Sequence, residues 1–140
     1  MKLNLHYIFS VFLILCLGFS CKKTEEANVL NQFNATNYVF RQIMVCECMS
    51  ILAEIEVKNS KIVKVTNFKT KEIMTGDFTK MYKSIPQLLH LIDSISQTNP
   101  YQMRVEYDEE YHYPKVIFVD RNPSWADDEF GYMTDSLIIK

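Results

Sequence analysis

Alternation and three- to four-residue spacing of apolar side chains divide this chain into a β-rich body interrupted by one helix. The segment Tyr38-Val39-Phe40-Arg41-Gln42-Ile43-Met44-Val45 is rich in aromatic and branched residues and predicts a strand running into Cys46-Glu47-Cys48. Ile51, Ala53, Ile55 and Val57 then alternate with Leu52, Glu54, Glu56 and Lys58, the period of a half-buried strand. Asn59-Ser60 supplies a turn, and Lys61 to Thr66 reads as the returning strand of a hairpin, with Val63 and Val65 on one face and Ile62, Lys64 and Thr66 on the other. A helix is predicted from Ser84 to Ser96: Ser84 and Gln87 form a capping-box pattern, and Pro86 falls in the tolerant first turn. Ile85, Leu88, Leu89, Ile92 and Ile95 line one face, and Asn99-Pro100 ends it. Three further strands follow, Tyr101 to Tyr107, Lys115 to Asp120 and Phe130 to Ile139. With no alternating βα units, the expected fold is α+β, an antiparallel sheet of five or six strands with the main helix packed on one face.

The first residues follow a different pattern. Lys2 precedes an almost wholly apolar run from Ile8 to Phe19, and Gly18-Phe19-Ser20-Cys21 offers small residues where a leader is cut. The run is too short to span a bilayer core of about 30 Å, and the chain turns polar at Lys22-Lys23-Thr24-Glu25-Glu26. The pattern resembles a lipobox, with Gly18 where lipoprotein signals usually carry Leu. Residues 1–20 are therefore expected to be a lipoprotein signal peptide, and 21–34 a lipidated tether with a brief helical pattern at Val29, Leu30 and Phe33. A single α+β domain would occupy 35–140. Acyl chains on Cys21 would contribute about 0.8 kcal/mol per buried methylene, so two or more would hold the chain at a membrane surface, in an extracytoplasmic cell-envelope location.

Charge and cysteine count narrow the functional classes. Without Lys2, the 15 basic residues fall to 14 against 17 acidic, a formal charge of 14 − 17 = −3 that argues against nucleic acid as a partner. Of four cysteines, Cys16 would leave with the leader and Cys21 would take lipid. Cys46 and Cys48 remain, as a structural disulfide, a redox pair, metal ligands or unrelated thiols. Residues two apart in a strand have Cα atoms about 6.6 Å apart, near the upper limit for a disulfide, so a bridge requires a bend. Closing so small a loop would stabilise by only about 1.6 kcal/mol. The structural bridge is the leading reading, since no nearby basic residue favours a thiolate and Glu47 opposes one. Zinc would demand both cysteines together with His90 and His112, the remaining histidines of the mature chain, each of which reads more simply as a surface residue.

The order of these motifs has a family resemblance. Tyr38 ahead of Cys46-Glu47-Cys48, the hairpin, the helix, Val105-Glu106-Tyr107-Asp108, Tyr113-Pro114, Ile117-Phe118-Val119-Asp120 and Asp127-Asp128-Glu129 resemble DUF6174, small bacterial lipoproteins with no assigned function. The resemblance covers roughly Tyr38 to Ile139 and implies an extracytoplasmic, non-enzymatic domain without supplying a substrate. Two turns depart from it: family hairpins often have Asp-Gly or Asn-Gly where this chain has Asn59-Ser60, and a Gly commonly stands where this chain has His112.

Candidate chemistry gathers in the last third. Tyr107, Asp108, Tyr111, Tyr113, Trp125, Asp127, Asp128 and Glu129 form a candidate acidic and aromatic binding surface for an envelope protein. Asp120, Asn122, Asp127, Asp128 and Glu129 lie in one connection and are a weak calcium candidate, although turn duties explain the same residues. A direct hairpin between Tyr107 and Lys115 would place Asp108 and Asp120 at opposite ends. No nucleophile elbow, phosphate loop or zinc-protease helix is present, so catalysis and a cofactor are not expected.

Overall fold

The computed structural model describes residues 33–46, 50–125 and 128–140. The leader, Cys21, most of the tether, Cys48 and Asp127 fall outside these. Six strands form one antiparallel sheet: β1 (Tyr38–Val45), β2 (Ala53–Lys58), β3 (Lys61–Asn67), β4 (Gln102–Tyr107), β5 (Pro114–Asp120) and β6 (Phe130–Ile139). Their spatial order is β3-β2-β1-β6-β5-β4. Two three-stranded meanders thus meet along β1 and β6, and the chain must pass from the β3 edge to the β4 edge. The connection does so with a 3-10 helix, Gly76–Met81, and the helix α1, Ile85–Ser96. Crossing six strands at about 4.8 Å spacing requires about 24 Å, so this connection has to lie over a face of the sheet.

Burial follows the alternation. Tyr38, Phe40 and Gln42 of β1, Ala53, Ile55 and Val57 of β2, Ile117 and Val119 of β5, and Tyr132 and Thr134 of β6 are buried on the face that meets Ile85, Leu88, Leu89 and Ile95 of α1. The helix begins as its sequence dictates. Ser84 Oγ accepts the Gln87 N–H at 3.4 Å, while Gln87 Oε1 accepts the Ser84 N–H at 2.8 Å, satisfying two otherwise orphaned donors.

In β3 the facing expected from alternation is reversed. Val57 is opposite Ile62, yet Glu56 is opposite Lys64, so Val63 is an extra residue in a bulge. Ile62 and Val65 face the core and Val63 is exposed. At the tip, Asn59 and Ser60 both adopt positive φ, 49° and 62°, between the paired residues Lys58 and Lys61. This two-residue turn matches the right-handed twist of its strands. It is held from outside, because Asn37 Oδ1 accepts the Asn59 N–H at 3.0 Å and the Thr36 carbonyl accepts the Ser60 N–H at 2.9 Å.

Residues 81–85 are tied down unusually well. The Gln42 amide donates to the Lys83 carbonyl at 3.0 Å and accepts the Lys83 N–H at 2.9 Å. The Tyr38 hydroxyl accepts the Ile85 N–H at 3.0 Å, and the Tyr132 hydroxyl donates to the Met81 carbonyl at 3.1 Å. Tyr82 donates to the Ile51 carbonyl at 2.8 Å. Buried polar groups thereby fix where the helix enters the core.

Candidate functional site

The β4–β5 register divides the sequence candidates. Tyr107 is opposite Pro114 at one end of this pair, and Gln102 is opposite Asp120 at the other, about 17 Å away by strand rise. Tyr107, Asp108, Tyr111 and Tyr113 belong to the first end; Asp120, Asn122, Trp125, Asp128 and Glu129 belong to the second.

At the first end most candidates have structural work. Asp108 Oδ1 accepts the N–H groups of Glu110 and Tyr111 at 3.1 and 2.9 Å, and the loop closes through Asp108 N–H to the Tyr113 carbonyl at 2.9 Å. His112 is exposed and holds φ at 54°, the left-handed conformation for which glycine is the cheaper residue. Tyr113 is buried, and Tyr107 packs partly buried against the same core cluster. Burial pushes the Tyr113 phenol upward, aided by the charges of Asp108 and Asp135. The exposed Tyr111 hydroxyl is also raised, chiefly by its hydrogen bond to Glu110.

At the second end the acidic side chains are similarly engaged in turns. Asp120 Oδ1 accepts the Asn122 N–H at 3.0 Å, and Asn122 Oδ1 accepts the Ser124 N–H at 3.0 Å. These are Asx turns, the duty that Asp and Asn commonly serve between strands. Asp128 Oδ1 is buried and has no hydrogen-bond partner among the described residues. No group of three or more His, Cys, Asp or Glu side chains capable of holding a metal ion occurs among the described residues.

Both ends present apolar surface: Ile138 and Ile139 are 62% and 48% exposed at the first, and five large side chains are exposed at the second. Trp125 is 68% exposed, Tyr101 64%, Ile73 62%, Phe78 53% and Val45 43%. All five lie beyond or at the strand termini on this end: Val45 closes β1, Ile73 and Phe78 follow β3, Tyr101 precedes β4, and Trp125 lies between β5 and β6. Two shallow grooves open on this end, one beside Ile73 and Phe78 and the other beside Val45. One, of about 240 Å³, is lined by Ile51, Ile73, Met74 and Phe78 with Asn67 and Glu72. The other, of about 230 Å³, is lined by Val45, Cys46, Phe118, Glu129 and Phe130. Arg121 stacks over the Phe130 ring at 4.8 Å, and Arg41 and Lys71 lie over Phe68 at 4.1 and 4.0 Å. Cations therefore cover the Phe68 and Phe130 rings at this end.

Trp125 belonged to the sequence candidates, whereas Val45, Ile73 and Phe78 did not. Ile73, Met74 and Phe78 follow neither strand nor helix period in a polar stretch, and that mismatch was the available signal. That they share an end depends on the strand directions, which bring the β3 exit and the β5–β6 loop to the same end of the sheet. Cys46 is half-buried on the groove near β6, whereas Cys48 and Cys21 fall outside the described residues.

No helix among the described residues is long and apolar enough to cross a membrane. Residues 24–139 match the family described as "Family of unknown function (DUF6174)". No curated protein and no solved structure matches the chain.

Proposed function

We propose that this chain, which belongs to the DUF6174 family, is a lipid-anchored module of the cell envelope that works by binding another envelope protein rather than by catalysis. The observation that carries this reading is the exposure of Val45, Ile73, Phe78, Tyr101 and Trp125 at one end of the sheet, where Ile73 and Phe78 line one open groove and Val45 another. Removing such surface from water stabilises by about 25 cal/mol per Å². Aromatic side chains with a charged border are also the usual composition of a protein-binding patch. The anchor rests on Lys2, the apolar run and Cys21, followed by the polar sequence Lys22-Lys23-Thr24-Glu25-Glu26.

A structural bridge between Cys46 and Cys48 belongs to the same proposal. It is supported by Cys46 being a disulfide-bonded cysteine and by the exit of the chain from regular strand at Cys46, where the bend required by so short a loop can form. A thiol-redox role is the competing reading, and Glu129 in the same groove opposes it by disfavouring a thiolate.

Site-specific photo-crosslinking in intact cells tests the binding reading. A photoreactive residue at Phe78 or Trp125 should give the same discrete adduct, and one at Tyr111 or His112, on the opposite end, should give none. Adducts independent of position would overturn the assignment. Intact mass from native membranes tests the anchor: residues 21–140 plus two or three acyl chains are expected, and an unacylated mass would sink it. Replacing either cysteine by Ser should lower stability while leaving the crosslink pattern intact.

A further inference from the structure

At the first end, β1 starts at Tyr38, β6 finishes at Ile139, and the β2–β3 turn at Asn59 and Ser60 lies beside them. Ile138 is opposite Val39 and Ile139 opposite Tyr38, and because neighbours along a strand point to opposite faces, the two isoleucines straddle the tip of β6. They are 62% and 48% exposed. Ile138, Val39, Glu56 and Lys64 form one row across β6, β1, β2 and β3. Lys140 Nζ lies 3.4 Å and Lys58 Nζ 3.1 Å from Glu56 Oε1, and Lys61 pairs with Lys58 beside the turn; all four lysines are exposed. Four lysines around one carboxylate give this corner a formal charge of 4 − 1 = +3. Asp108, Glu109 and Glu110 also belong to the first end but sit between β4 and β5, about 14 Å from β2 by strand spacing, beyond a Debye length at physiological salt.

We propose that this corner is a lipid-docking surface: Ile138 and Ile139 enter the interface of an anionic membrane while Lys58, Lys61, Lys64 and Lys140 meet its headgroup phosphates. Docking rests on the anchor proposed above for the nearness of a bilayer, and adds to it the direction in which the domain faces. Apolar side chains flanked by lysines suit such an interface, where apolar groups lie about 5–10 Å deep at the boundary of headgroups and acyl chains. Each lysine near an anionic leaflet strengthens partitioning by about fivefold, and its long stem keeps the ammonium among the phosphates. Chain length points the same way. The Phe33 ring packs against Tyr38 at 5.1 Å, which fixes the entry of the chain at this end. Cys21 precedes Phe33 by 33 − 21 = 12 residues, at most about 43 Å of fully extended chain. Turning the Trp125 end toward the bilayer would use about 31 Å of that reach merely to pass along β6. With the first end on the membrane, Trp125 and the two grooves face outward, where a protein partner can reach them.

Brominated lipids test this, because they quench tryptophan only at close range and Trp125 is the single tryptophan of the chain. The chain purified from native membranes is placed in vesicles of brominated phosphatidylcholine with roughly one-third brominated phosphatidylglycerol. Trp125 lies beyond Phe130, itself about 27 Å of strand from Ile138, and should keep at least about nine-tenths of its emission. In a Trp125→Phe background, Ile138→Trp should lose at least about half of its emission, and Ile139→Trp supplies an independent reporter. Unchanged thermal melting verifies that both fold. Replacing Lys58, Lys61 and Lys64 together by Gln, or omitting phosphatidylglycerol, should lower the docked-to-undocked ratio at least about tenfold. Intact mass of the same samples reads acylation separately. An acylated chain whose two reporters stay bright, or whose Trp125 dims as much as they do, overturns docking and leaves the anchor standing. Quenching indifferent to the lysines and to lipid charge overturns the lipid assignment. An unacylated chain that still docks supports this surface alone, and one that binds no vesicle overturns it together with the anchor.

Discussion

Replacing Gln42 by Met tests whether one buried amide sets the helix entry. Gln42 is fully buried in β1, and its two side-chain atoms satisfy both backbone groups of Lys83, at 3.0 and 2.9 Å. Met has similar volume and fills gaps readily, so the transfer and cavity terms of a truncation are largely avoided. What remains is the loss of two hydrogen bonds with the Lys83 N–H and C=O left unpaired, at about 1–3 kcal/mol for each buried group. Lys83 is half-buried, so water relieves part of this, and the expected loss is about 2–4 kcal/mol. For a domain of this size each kcal/mol lowers Tm by about 4–8 °C. Urea unfolding should report the loss, and hydrogen exchange should accelerate first at residues 81–85. Gln42→Glu supplies a sharper test. Its carboxylate would still accept the Lys83 N–H but would oppose the Lys83 carbonyl, which raises its folded pKa above the unfolded value of about 4.3. A raised carboxyl contributes stability below the unfolded pKa and loses it as pH rises through the folded pKa. The variant should therefore approach wild-type stability near pH 4 and fall behind toward pH 7. A Gln42→Met variant within about 0.5 kcal/mol of wild type, or a Gln42→Glu deficit independent of pH, would refute the reasoning.

Other consequences can be measured with the same assays. A Cβ on Gly131 would sit 2.3 Å from the Ile117 carbonyl oxygen, and no side-chain rotation relieves a backbone clash. Gly131→Ala should therefore cost about 2–4 kcal/mol by urea unfolding and shift amide resonances in both β5 and β6. Ser60→Gly and His112→Gly should each stabilise by about 0.5–1 kcal/mol, because φ values of 62° and 54° strain any residue with a Cβ; a loss of stability in both would contradict the turn assignments. Burial raises the phenols of Tyr38, Tyr82 and Tyr132. Their contribution is complete below the ordinary tyrosine value of about 10 and disappears as pH rises through the folded values, so absorbance at 295 nm should show late ionisation coincident with alkaline unfolding. Glu56 lies in the opposite sense: hydrogen bonds to Lys58 and Lys140 hold its carboxyl below the usual range. Its contribution is present above the unfolded carboxyl value and fades as pH falls, and an NMR titration in which Lys140→Ala moves Glu56 upward would verify the pairing.

Sequence alone determined the local architecture, because alternation, capping and turn chemistry act over a few residues. The Ser84–Gln87 box, the apolar stripe of Ile85, Leu88, Leu89 and Ile95, and the six strand positions were all legible in this way. The Val63 bulge was not, since a single inserted residue leaves composition unchanged while reversing the facing of its neighbours. The buried Gln42 was not legible either: an amide in a strand reads as a polar position until its partner, 41 residues away, is known. For the site, Asp108, Asp120 and Asn122 carried visible acidic and amide chemistry, but only the folded loops revealed that their oxygens serve backbone N–H groups. Tertiary structure also separated the Tyr111 loop from Trp125, set Trp125, Val45, Ile73 and Phe78 at the same end of the sheet, and covered the β3 edge with the chain's own return. Those outcomes depend on strand order, and strand order is set by where distant apolar faces meet rather than by any local pattern.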